Sequence, residues 1–154
     1  MQGEFSLINK TRGKLPSLPF LKIKNDILGE KYSLSLAFVS KKESQKINKK
    51  YRNKNKPTNI LSFLLHKNEG EIIICPAVVR REAKSFEKTF SQFLGFLVIH
   101  GMLHLEGMEH SSRMDTKQDF YFTKYDQKYF SGHRRRVVHD TGRGRRILQR
   151  RKKS

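Results

Sequence analysis

The chain has 154 residues, enough for one domain with a real hydrophobic core and a short extension. It has one cysteine, which excludes an internal disulfide, and its longest apolar run, Ile72 to Val79, is broken by Pro76 and too short to cross a bilayer. Lys and Arg number 33 against 14 Asp and Glu, a formal net charge of +19 that favours a polyanionic partner, nucleic acid before anionic membrane.

The opening Met1-Gln2-Gly3-Glu4 begins no apolar stretch of signal-peptide type, so a cytoplasmic protein is expected, and a reducing compartment suits the lone Cys75. Phe5 to Ile8 fits a short strand, and Leu18 to Leu28 a helix. Tyr32, Leu34, Leu36 and Phe38 alternate with Ser33, Ser35 and Ala37, the period of a half-buried strand. Ser40 followed three residues on by Glu43 has capping-box spacing and predicts a helix from Lys41 to about Tyr51. Asn53 to Thr58 is a polar loop containing Pro57. Ile60 to Leu65 and Glu71 to Cys75 read as strands of a hairpin turning at Asn68 to Gly70, with Cys75 a buried thiol. Pro76 suits the first position of a helix carrying Val79, Ala83 and Phe86. A second helical stripe runs Phe90, Leu94, Leu97, Val98, Gly101. Ser112 and Asp115 signal a further helix, through Met114, Gln118, Tyr121, Phe122, Tyr125 and Tyr129.

Strands fill the first half and helices the second. The expected fold is α+β, a mixed β-sheet packed against helices, over residues 1–131. In residues 132–154 ten Arg or Lys stand against one acid, Asp140, so this segment holds +9 of the net charge and predicts a basic, disordered tail.

The informative segment is His100-Gly101-Met102-Leu103-His104-Leu105-Glu106-Gly107-Met108-Glu109-His110. His100 and His104 share one face of a predicted helix, roughly 5–6 Å apart at Cβ. Gly107 accepts the left-handed conformation that ends helices, so the chain can turn back and bring in His110. The metal cleft is therefore expected at a helix and its following turn. Three neutral imidazoles around one Zn2+ leave a coordination position open, as in catalytic sites. Chance pairing is the competing reading, and nickel, copper or iron would suit the same donors. The spacing matches the metzincin motif H-E-x-x-H-x-x-G-x-x-H, but Gly101 replaces the glutamate that serves those peptidases as base. Glu109 reads as a solvated carboxylate, and His66, His133 and His139 as surface residues or RNA contacts in the tail.

His100-Gly101-x-Leu103-His104-Leu105-x-Gly107-x-x-His110 resembles the signature of the YbeY family, bacterial endoribonucleases of ribosomal RNA maturation. Two further blocks resemble that family in the same order. Arg52 to Phe63 is similar to its Arg-containing K-P-T-x-V-L-S-F block, and Gly70 to Cys75 to its G-D-I-x-I-C strand. The likeness covers roughly residues 30 to 130 and departs at Asn55, Glu71 and Glu109, where the family has Asp, and at Leu64, where it often has Pro. It implies an α+β fold with a cleft at the metal site, His100, His104 and His110 as zinc ligands, and Arg52 as the functional arginine. It further implies single-strand cleavage in 16S ribosomal RNA processing and ribosome quality control, with ribosomal RNA and ribosomal subunits as partners and no membrane. Lys54 and Lys56 would add to a phosphate-binding surface, Thr58 and Asn59 would pin the loop, and Ser62 and Phe63 would be structural. Two other readings remain: an RNA-binding assembly factor with a structural metal, and a metallohydrolase acting on another substrate.

Overall fold

The computed structural model describes residues 2–131. The predicted basic tail, 132–154, with His133 and His139, lies outside the described residues. The elements in order are β1 (Phe5–Asn9), α1 (Phe20–Ile27), β2 (Ser33–Phe38), α2 (Lys41–Arg52), β3 (Ile60–His66), β4 (Glu69–Ile74), α3 (Pro76–Ala83), α4 (Phe90–Leu105) and α5 (Ser112–Tyr125). A 3-10 turn, Lys84–Phe86, follows α3, and one π-type turn, Asp126–Phe130, follows α5. The strands form one mixed sheet in the order β1-β2-β4-β3, parallel except for the β3–β4 hairpin. The α+β expectation is met.

Alternation in the strands gives the sheet two unlike faces. Leu34, Leu36, Phe38, Ile72 and Ile74 are buried on one face, packed with α1, α3, α4 and α5. The other face carries Ser35, Ala37, Glu71, Ile73 and Phe63 and is partly covered by α2. The helix α4 is apolar nearly all round, with Leu94, Leu97, Val98, Met102 and Leu103 buried on different sides. Such a helix belongs in the middle of a molecule, and α4 contacts β3 and β4 on one side and α1, α3 and α5 on others. Thr89 and Gln92 close a capping box at its start.

Three local expectations are corrected. The hairpin turns at Lys67-Asn68, and Gly70 is a strand residue instead. A Cβ on Gly70 would come within 2.6 Å of the Tyr32 hydroxyl, so the glycine serves close packing and not a turn. The cap of α5 is Ser111, whose hydroxyl accepts from the Met114 N–H, while Ser112 is the first helical residue. Of two adjacent serines, the one with extended backbone caps. The helix also stops at Tyr125, before Tyr129. Among the described residues no helix is long and apolar enough to cross a membrane.

Candidate metal centre and cleft

Two elements and one turn bring the histidines together. His100 and His104 stand one turn apart on α4, with ring centroids 4.6 Å apart. The helix then ends in a Schellman turn. Gly107, at φ +109, donates its N–H to the His104 carbonyl, and Met108 donates to that of Leu103. The reversal places the His110 ring 4.7 Å from His104 and 5.2 Å from His100. One nitrogen from each ring lies within 4.8 Å of the others.

Hydrogen bonds fix the tautomers. The Gln118 amide donates to the Phe96 carbonyl at 2.9 Å, which turns its Oε1 toward His100 Nδ1 at 3.1 Å. His104 Nδ1 faces the Met108 carbonyl at 3.0 Å. Both partners only accept, so both Nδ1 atoms carry the proton. With both rings neutral, the two Nε2 atoms then face each other at 3.1 Å as lone pairs. That contact is repulsive unless a cation lies between. Metal–imidazole bonds of about 2.0–2.1 Å separate tetrahedral ligand atoms by roughly 3.3 Å. The donor set therefore fits a metal ion. Burial lowers the His100 pKa, and the His104 and His110 rings push the same way against Gln118 and Asp115, which favours the neutral ligand form.

These rings form one end of a cleft of about 670 Å³ that also takes in Arg52, Lys54, Lys56, Thr58 and Ser62. Arg52, the last residue of α2, donates to the Ser62 carbonyl at 3.3 Å. The loop after it is held by side chains the sequence reading did not select. Ser44 donates to the Thr58 carbonyl and accepts from the Thr58 N–H, both at 2.9 Å, and Asn48 donates to the Lys56 carbonyl. The expected pinning by Thr58 is thus reversed: its backbone is the partner. Asn59 anchors its end of the loop through another side chain and not through backbone as expected, donating to the Glu82 carboxylate at 2.8 Å. Their signal was faint, two small polar residues among the charged ones of α2. Gln118 was read as part of a helical stripe and proves to orient a histidine.

The glycine at the metzincin base position is a packing residue. A Cβ on Gly101 would sit 2.9 Å from Ser62 Oγ and 3.0 Å from Ile60, so α4 lies too close to β3 to carry a glutamate there. Glu109 is exposed and outside the cleft lining, and His66 is a surface residue.

A family model described as Endoribonuclease YbeY matches residues 17–126. The chain belongs to the YbeY family. The YbeY endoribonuclease of Staphylococcus saprophyticus is 43% identical over 103 residues, 59% of this chain and 67% of that protein. That of Staphylococcus carnosus is 39% identical over 109 residues, 63% and 71% of the two chains. A Thermotoga maritima protein solved in solution superposes with a TM-score of 0.62 at 27% identity, covering 92% of this chain and 99% of that one. The YbeY match begins at residue 17, further upstream than the three sequence blocks reach.

Proposed function

We propose that this protein is a zinc-dependent endoribonuclease that cleaves single-stranded RNA in ribosomal RNA maturation, including 16S processing and ribosome quality control. Residues 1–131 would be the catalytic unit and residues 132–154 an RNA tether. The observation that carries this reading is one cleft holding two histidine Nε2 atoms face to face at 3.1 Å beside Arg52, Lys54 and Lys56. Among the described residues its lining has no carboxylate, which suits a phosphodiester better than a peptide. Three donors converge, one short of a closed structural zinc site. That counts against the reading as an assembly factor whose metal only holds the fold.

Bound on the three histidines, the ion supplies Lewis-acid stabilisation of negative charge on a phosphoryl oxygen. Arg52 spends one N–H on the Ser62 carbonyl and keeps others free for the same phosphate. Its fixed charge needs little rearrangement as negative charge builds in the transition state. Lys54 and Lys56 draw the strand in, on a loop that Ser44 and Asn48 hold in place.

The test is Arg52→Ala. Metal content should stay at the wild-type level, while cleavage of ribosomal RNA falls on the order of a hundredfold or more. His104→Ala should lose both, which also controls for contaminating nucleases. Wild-type cleavage by Arg52→Ala removes the arginine from the mechanism. Chelator-insensitive cleavage removes the metal.

A further inference from the structure

Arg52 and Ser62 line a second cavity as well as the metal cleft. It is a groove of about 640 Å³ between α2 and the other face of the sheet. Phe63 and Tyr51 stand in its wall, edge to face with ring centroids 5.2 Å apart, and Tyr51 is 58% exposed. Cations frame the rings: Lys50 Nζ lies 5.2 Å from the Tyr51 centroid, and the Arg52 guanidinium 5.8 Å from that of Phe63. On the floor, Glu71 of β4 pairs across the sheet with Phe63 on one side and Ser35 on the other. Glu43 at the rim is paired with Lys10, whereas the Glu71 carboxylate makes no hydrogen bond or ion pair among the described residues. Phe63 and Glu71 both belong to blocks that carry the family likeness, and neither serves the metal.

A carboxylate at the bottom of an aromatic groove repels phosphate. It welcomes an uncharged ring that stacks and donates hydrogen bonds. We propose that this groove is a guanine-selective subsite for the base of a nucleotide flanking the phosphate held at Arg52. This rests on the RNA-cleaving reading. Nucleobases stack on aromatic side chains in single-strand recognition. Guanine alone of the four presents two adjacent donors, N1–H and the 2-amino group, that match the two oxygens of a carboxylate. Adenine, cytosine and uracil each offer one donor group on that edge. A site built to pair a donor rejects a base that lacks it. Continuity with the cleft through Arg52 and Ser62 makes the route short, since the strand needs only to pass over the guanidinium.

The test uses fluorescein-labelled oligouridylates carrying one guanosine, inosine or adenosine, as unmodified RNA for cleavage and as cleavage-resistant 2′-O-methyl oligomers for binding by anisotropy. Guanosine should bind about tenfold more tightly than adenosine, with inosine, which lacks the 2-amino group, between them. Glu71→Gln should abolish that order. Tyr51→Ala, a surface change that leaves the core intact, should weaken all three by roughly tenfold. Equal wild-type affinities, an order that survives Glu71→Gln, or unchanged binding by Tyr51→Ala each overturn the subsite, and would leave the groove to an apolar protein segment. Binding and cleavage separate the two readings. An intact base order without cleavage supports the subsite and removes the nuclease reading alone. Cleavage with no base order removes the subsite alone.

Discussion

His100 and His104 are the same residue one turn apart, yet each is aimed by a different acceptor, the Gln118 amide for one and the Met108 carbonyl for the other. Each partner fixes which nitrogen is bare. Gln118→Leu removes one of them while an apolar side chain of similar size fills the same place in the packed stripe of α5. Metal affinity should fall about 10- to 100-fold, read by competition with a chromogenic chelator, while the melting curve moves little. An unchanged affinity would mean that the Gln118 contact does not matter. At this scale the histidines were legible from sequence because four-residue spacing on a helix is a local property. Gln118 was not, because its partner lies 18 residues away on another helix. Ser44 and Asn48 were missed for the same reason, since their hydrogen bonds exist only once α2 and its loop are folded. Arg52 came from family likeness, for nothing in its immediate sequence distinguishes it from other helix-end cations.

At the scale of elements, periodicity, capping signals and turn residues together located the strands and α-helices of the described residues, and the errors fell at ends. Ser111 and Ser112 are equivalent as letters, and backbone geometry alone chooses the cap. Gly70 looks like a turn residue until the Tyr32 hydroxyl is seen beside it. A long-range clamp was also invisible: Asp26 of α1 accepts from Lys124 at 2.6 Å and Tyr125 at 2.7 Å of α5. Burial raises the Asp26 pKa, but the hydrogen bonds from Lys124 and Tyr125 and the charge of Lys124 and Lys22 outweigh it, so the net shift is downward. A carboxylate held below its unfolded pKa contributes stability above about pH 4 and loses it as pH falls through the lowered value. Asp26→Asn should cost about 1–2 kcal/mol at neutral pH and flatten the acid limb of the stability curve. Urea midpoints measured from neutral to acid pH check this. Parallel curves for the two proteins would deny Asp26 a part in acid sensitivity.

Over the whole chain, charge is unevenly shared. Residues 132–154 carry ten of the 33 basic side chains. If they tether RNA, removing them should weaken binding at low salt and make the logarithm of affinity less steep against the logarithm of salt, because fewer counterions are released. Fluorescence titrations at several salt concentrations measure this, and an unaltered slope ends the tether. Composition made that segment visible, whereas the meeting of Phe63 with Glu71 on the second face of the sheet emerged only from the register of β3 on β4. The turn at Gly107 has one more consequence. The Met108 carbonyl that steers His104 belongs to the same reversal that terminates α4, so the helix end and the ligand geometry open as one unit. If the three histidines hold the proposed ion, mild denaturant should release it with the first fraying of that corner, while the interior stays shut. Amide exchange at Gly107 and Met108 would then serve as a local gauge of occupancy.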